Sequence, residues 1–284
     1  MGEFHVLAPN EDRPGARPED EPRHPAPCRL EAEKTTSDTA PVVTAVDLKH
    51  RWSEPDRLRL VREVRTWLTG HGPQPAGLEE HNGRTDLRGI PLFATPVSVG
   101  DKDDPTAGAT WNSLDLSGAQ LEHLRFFAGR ISNCVFDDAS LFGMRLWGTE
   151  ITDNSFRRAD LRSSALGTGE WQGLRNTWRR VDFSRANLGD FSITGYHVDN
   201  VVLPPQDDLV VLHNYPSVLR AAAAWLRRPD TSDEETRTAG IFDYELKAPG
   251  AEDTDQVSAL NGYGDPITAA VAGRALATAQ AIVG

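Results

Sequence analysis

The chain is poor in sulfur, with two cysteines and two methionines among 284 residues. Cys28 and Cys134 lie far apart in sequence, which excludes a disulfide framework and a cysteine-rich metal site. Nowhere do eighteen consecutive apolar residues occur, and no basic segment followed by an apolar run opens the sequence. A spanning helix and a signal peptide are therefore not expected, and the reading is a soluble, cytoplasmic protein without a membrane partner. No P-loop, GxGxxG, HExxH or Ser/His/Asp order is present, so the standard nucleotide-binding, zinc-protease and hydrolase readings find no support and no cofactor is expected. Lysine is scarce, 4 against 26 arginines, a bias that points to a high-GC bacterial genome.

Only 38% of the residues are hydrophobic and 19 are proline, unevenly placed. Residues 1–47 are rich in Pro, Glu, Asp and Arg and nearly lack aromatics, a composition that cannot offset its ordering entropy, so a disordered leader is predicted there. The net charge of -12 is also uneven. Residues 112–203 carry 11 acidic and 10 basic side chains, whereas residues 204–284 carry 12 and 6. Direct recognition of nucleic acid is not expected from this balance.

Large apolar residues recur every five positions at Leu116, Leu121, Phe126, Ile131, Phe136, Leu141, Leu146, Ile151, Phe156, Leu161, Leu166 and Trp171. Small residues often stand two positions earlier, as at Ala119, Cys134, Ala139, Thr149, Ala159, Ser164 and Gly169. After Trp171 the register slips by two and resumes at Trp178, Phe183, Leu188, Ile193, Val198 and Leu203. A period of five fits neither a helix nor a strand.

The stretches FDDASLFG and FRRADLRSSAL resemble the A(D/N)LXX pattern of bacterial pentapeptide-repeat proteins. The resemblance implies an all-β fold, a right-handed quadrilateral β-helix of about 4.5 coils and roughly 20 Å length, with flanking α-helices. The organisation expected is a leader (1–47), an N-terminal helix and capping segment (48–111), the repeat (112–203) and a helical and irregular C-terminal region (204–284). In the last region, YPSVLRAAAAWLRR and the segment after Asp265 read as helices, and residues 229–262 as an irregular excursion.

With residues twenty apart placed on one face, one wall reads Arg125-Phe126-Phe127 and then Arg145-Leu146-Trp147. Ala165-Leu166-Gly167 and Asn187-Leu188-Gly189 follow, so large side chains give way to small ones and leave a shelf. Two stacked guanidiniums repel unless an anion or a carboxylate sits between them, and the aromatics suit a flat or apolar group. Arg125, Phe127, Arg145 and Trp147 are thus the candidate binding residues. The structural alternative is a wall covered by the N-terminal helix, with Glu63 or a C-terminal acid neutralising the arginines. Asp115, Asp160, Asp182 and His197 are the candidates for acid/base work, and nothing in the sequence pairs them. His197 and Asp199 flank Val198, a pattern read more simply as hydrogen bonding at the end of the repeat. His71 and His81 are expected to be solvated.

The function expected is that of a non-catalytic binding or interaction protein. The resemblance offers an alternative, since its best-known members bind type II topoisomerases such as DNA gyrase, confer resistance, and are often homodimers. A third reading is a small anionic-ligand binder or an unusual biosynthetic enzyme using the Arg/aromatic wall.

Overall fold

A computed structural model describes residues 45–92, 96–167, 170–171, 173–195, 197–205, 209–247 and 254–283, and of residues 45, 46, 170, 171, 175, 197 and 199 the backbone only. The expected leader lies outside the described residues as far as residue 44, and its last three residues begin a short helix, α1 (Ala45–His50). α2 (Pro55–Leu68) carries Pro55 in its first turn, where a missing N–H leaves nothing unpaired. Its Val64 and Leu68 are buried, and the Trp111 indole donates to the Leu68 carbonyl at 2.9 Å. Arg51, just after α1, makes two hydrogen bonds to Asp86 at 2.6 and 2.8 Å. Burial alone would raise the Asp86 carboxyl, but the guanidiniums of Arg51 and Arg88 prevail and hold it far below the usual carboxylate range.

The strands β1 (Glu80–His81), β2 (Arg84–Asp86), β3 (Ser98–Val99), β4 (Ala109–Asn112) and β5 (Leu114–Asp115) are short. They lead into β6 (Arg125–Ser132) and β7 (Arg145–Ser155), which pair in parallel with Phe126 opposite Leu146 and Ile131 opposite Ile151, a spacing of twenty residues. Then come β8 (Ala165–Leu166), β9 (Glu170–Trp171), β10 (Leu174–Arg175), β11 (Thr177–Asp182), β12 (Ser192–Gly195) and β13 (His197–Val202). This parallel ladder buries the side chains of the five-residue period: Leu121, Phe126, Ile131, Phe136, Leu141, Leu146, Ile151, Phe156, Leu161 and Leu166 are fully enclosed. Phe156 stacks between Phe136 (centroids 4.7 Å) and Phe183 (5.0 Å).

The small buried positions do separate work. Asn154 accepts from the Cys134 N–H and donates to the Ile131 carbonyl, both at 2.8 Å, and Ser164 accepts from the Met144 N–H at 3.1 Å. Backbone groups that the strands leave unpaired are satisfied in this way. Cys134 is buried, and burial pushes its thiol up to about 12. Ser113, Asn133, Asp153, Arg180 and Asn200 hold the left-handed backbone at matching places along the ladder, with φ between 52° and 59°. Each costs about 1 kcal/mol. Side-chain bonds between neighbouring turns offset part of this, as from Asn133 to Ser113 (3.0 Å) and from Arg180 to Asp153 (2.7 Å).

An all-β, right-handed quadrilateral β-helix is not what the chain forms. The fold is mixed α/β: five α-helices accompany a mixed sheet of ten strands, with no closed or solenoid sheet among the described residues. The five-residue period marks which side chains are buried and carries no information on the helices or on how the sheet ends. Two further corrections follow from residues 167–173. Trp178 lies opposite Ile151, twenty-seven residues on, so the insertion is seven residues and not two. Part of it forms the antiparallel hairpin β9–β10, with Trp171 opposite Leu174; the side chain of Trp171, like residue Gly169, lies outside the described residues. Consequently Ile193 pairs with Leu166, while Asn187 bridges Asp160. Gly189 does not lie beside Gly167; Ser192 stands opposite Ala165 and Thr194 next to Gly167, so these residues, and not Asn187 and Gly189, continue the run of small side chains along the wall.

The C-terminal region is also more ordered than its composition implied. β14 (Leu209–Leu212) and β15 (Asp255–Ala259) are antiparallel, and β15 covers β12 with Ser258 opposite Ser192, pairing an edge that would otherwise expose its N–H and C=O groups. α3 (Tyr215–Leu226), α4 (Asp233–Glu245) and α5 (Pro266–Val283) pack together over a second core containing Val218, Leu219, Phe242, Val271 and Leu276. α4 and β15 replace parts of the expected irregular excursion. α4 starts with a capping box, Ser232 and Glu235 each bonding the other's backbone N–H. Asp265 caps α5 by accepting from the Ile267 N–H at 2.9 Å. α5 is the one described helix long and apolar enough to cross a membrane, and Val271, Ala272, Ala275, Leu276 and Ala279 are buried along one side of it.

Candidate functional site

The four wall residues start in register, Arg125 opposite Arg145 and Phe127 opposite Trp147 on β6 and β7. The aromatic pair lies face to face, centroids 4.5 Å apart and rings within 4° of parallel. The two arginines separate. Arg125 and Phe127 line a cavity of about 550 Å³ with Gly100, Lys102 and His71, next to the end of α2. Arg145 instead turns the other way along the ladder, where one Nη donates to the carbonyls of Met144 (3.0 Å) and Ser163 (2.5 Å). Like charge drives the two guanidiniums apart, and the free carbonyl at the left-handed residue Ser163 fixes the second one.

Arg145 thereby enters a second cavity, of about 280 Å³, at the junction between the ladder and the C-terminal helices. Its walls include Ser163 and Asp190 from turns of the ladder, Ser192 from β12, Gln256 and Ser258 from β15, Glu245 from the end of α4, and Tyr263. The remaining N–H groups of Arg145 have no partner among the described residues. Across the cavity the Tyr215 hydroxyl, from the first residue of α3, donates to Glu245. The Tyr263 hydroxyl is shielded from water and has no hydrogen bond of good geometry among the described residues. Asp190 accepts from the Ser163 hydroxyl at 3.2 Å.

Burial raises the Glu245 carboxyl above its ordinary range, and the hydrogen bonds from Tyr215 and Tyr263 only partly counter it. Its place in the last turn of α4, which has no basic residue there, acts in the same sense, because the negative end of a helix disfavours an anion. Burial and the charge of Glu245 push both tyrosines upward, so each remains a neutral hydroxyl. The cavity therefore presents an arginine with open donors, a carboxyl group able to hold or release a proton, and a neutral phenol beside that carboxyl. These groups suit the recognition of a polar molecule with an acidic end.

The remaining candidates are not brought together. Asp160 is held by Arg162 at 2.7 Å, which keeps its carboxyl below the usual range. Asp182 is lowered despite partial burial by hydrogen bonds from Ser184 and Arg157. Asp115 is buried and accepts from Ser117 (2.6 Å), with His81 Nδ1 at 2.7 Å. His81 is thus not simply solvated: its other nitrogen lies 3.1 Å from Arg88, and the ring links Asp115 to the Asp86 cluster. The side chains of His197 and Asp199 lie outside the described residues.

Sequence reasoning located Arg145 and missed Glu245, Tyr215, Tyr263 and Gln256. The available signals were local, the S-x-x-E cap that starts α4 and an acid at its C-terminal end. No model of a known protein family matches this chain, and no curated protein matches it significantly.

Proposed function

We propose that this chain is a binding protein for a small polar molecule with an anionic group, and that the cavity of Arg145, Glu245 and Tyr263 is its working site. The observation that supports this reading is the open donors of Arg145 in a cavity that also holds the raised Glu245 carboxyl and, beside it, the Tyr263 hydroxyl. Open guanidinium donors on a cavity wall can form charge-assisted hydrogen bonds to ligand oxygens, the stronger kind. The wall around Arg125 and Phe127 is secondary, because it belongs to a different cavity and opens beside α2.

The test is thermal unfolding against small carboxylates and phosphates at millimolar concentration. A ligand binding the folded state alone raises the melting temperature with concentration. Arg145→Gln is expected to abolish the rise and Arg125→Gln to leave it; equal loss in both, or no rise with any anion, overturns the reading.

A topoisomerase partner recognised by a DNA-like acidic surface is less well supported. Several outward acids of the ladder are matched to arginines: Asp138 to Arg158 (2.6 Å), Glu150 to Arg130 (2.8 Å), Asp153 to Arg180 (2.5 Å) and Asp182 to Arg157 (2.6 Å). Such pairing leaves little unbalanced negative charge to imitate phosphates. A gyrase supercoiling assay with the full chain is expected to show no effect.

A further inference from the structure

The charges around the Arg145 cavity narrow the ligand class, on the reading just given. Three charged side chains line it: one cation, Arg145, and two carboxyl groups, Asp190 and Glu245. The other lining side chains are neutral. A ligand that is only an anion would gain Arg145 but bring its charge towards two carboxylates, the half-buried Glu245 and the exposed Asp190, and like charges placed close together are unfavourable. A ligand that also has a cationic centre pairs with both ends. We infer that the cavity takes a zwitterion, a small amino-acid-type molecule whose acidic group lies on Arg145 and whose protonated amine lies between Glu245 and Asp190.

Three features agree with this assignment. Glu245 receives the Tyr215 hydroxyl, with the Tyr263 hydroxyl beside it, which fixes the carboxylate, and a carboxylate with about four lone-pair sites still has acceptor capacity for an ammonium group. Among the described residues Asp190 receives only the Ser163 hydroxyl, which leaves it acceptor capacity. The volume of about 280 Å³ accommodates a molecule on the order of ten non-hydrogen atoms, taking about 30 Å³ for each small group as for a water molecule. That is the size of a free amino acid.

The experiment is ligand-observed NMR on the full chain with matched series. Glycine, β-alanine, 4-aminobutyrate, 6-aminohexanoate, glutamine and phenylalanine are each compared with the same acid lacking the amine. The expected result is at least one amino acid binding ten or more times more tightly than its partner acid. Glu245→Gln should remove most of that advantage while strengthening the acid's own binding by removing a like charge, and Arg145→Gln should weaken both. Asp190→Asn serves the same purpose if circular dichroism shows that Glu245→Gln does not fold. If acids bind in an Arg145-dependent way and the amine adds nothing, the zwitterion assignment is wrong while the anion-binding site stands. If neither series binds at tens of millimolar, both are wrong.

Discussion

The ladder and the junction where it meets the C-terminal helices treat buried polar groups in opposite ways. Between β6 and β8 the enclosed polar side chains are matched to backbone: Asn154 serves Cys134 and Ile131, and Ser164 serves Met144 and Leu141. Beyond the β9–β10 hairpin the matching weakens, since the buried Asn176 Nδ2 and Trp178 Nε1 have no partner among the described residues. At the junction itself, Glu245 is kept above its usual range, the Tyr263 hydroxyl has no hydrogen bond of good geometry among the described residues, and Arg145 keeps open donors. Regular parallel pairing satisfies its own polar groups and so has little to offer a ligand. Where the regularity ends, unmatched groups collect, and a site becomes possible.

The contrast is most severely tested inside the ladder. Phe156→Ala removes the middle ring of a three-ring stack, and a destabilisation of about 3–5 kcal/mol is expected in chemical denaturation. A loss below 1 kcal/mol would mean that the stack contributes little. Asn154→Ala leaves one N–H and one carbonyl unpaired, for which a loss of about 2 kcal/mol is expected. At the junction the sign reverses. Because the folded state raises the Glu245 carboxyl, it binds a proton more tightly than the unfolded chain does. Its contribution is most favourable below the ordinary value of 4.5 and declines as pH rises through the higher folded value. Glu245→Gln should therefore be neutral or stabilising near pH 7, with a flatter dependence on pH, even as ligand affinity falls. Asp86 behaves oppositely: its carboxyl is lowered, so its contribution is present above 3.8 and is lost as pH falls below that value. Asp86→Asn should weaken the acid dependence of the denaturation midpoint. The smallest effect is expected for Arg158→Ala on the solvent side, within about 0.5 kcal/mol, because water and salt screen its pair with Asp138.

The buried side chains of the ladder were legible because a period of five in large apolar residues records burial directly, and Phe126, Phe136 and Phe156 are as enclosed as that spacing demands. Fold class was not legible from it. The strands that finish the sheet, β14 and β15, are separated by two helices and recruited by an exposed edge, a long-range effect without a local pattern. The same limit applies to the site. Arg145 stood out on its wall, but Glu245 is a hundred residues away and owes its environment to how α4 docks. A local sign did exist in the Ser232 to Glu235 cap, and it identifies the helix without identifying what its far end faces.

Cys134 gives the ladder a chemical clock. Its sulfur lies within the stack and its thiol is held far from ionisation, so a thiol reagent can reach it only when neighbouring strands part. With Cys28 replaced by serine, the labelling rate of the remaining thiol would report opening of the ladder from within, at equilibrium and without denaturant. Opening of the junction alone would leave that clock silent.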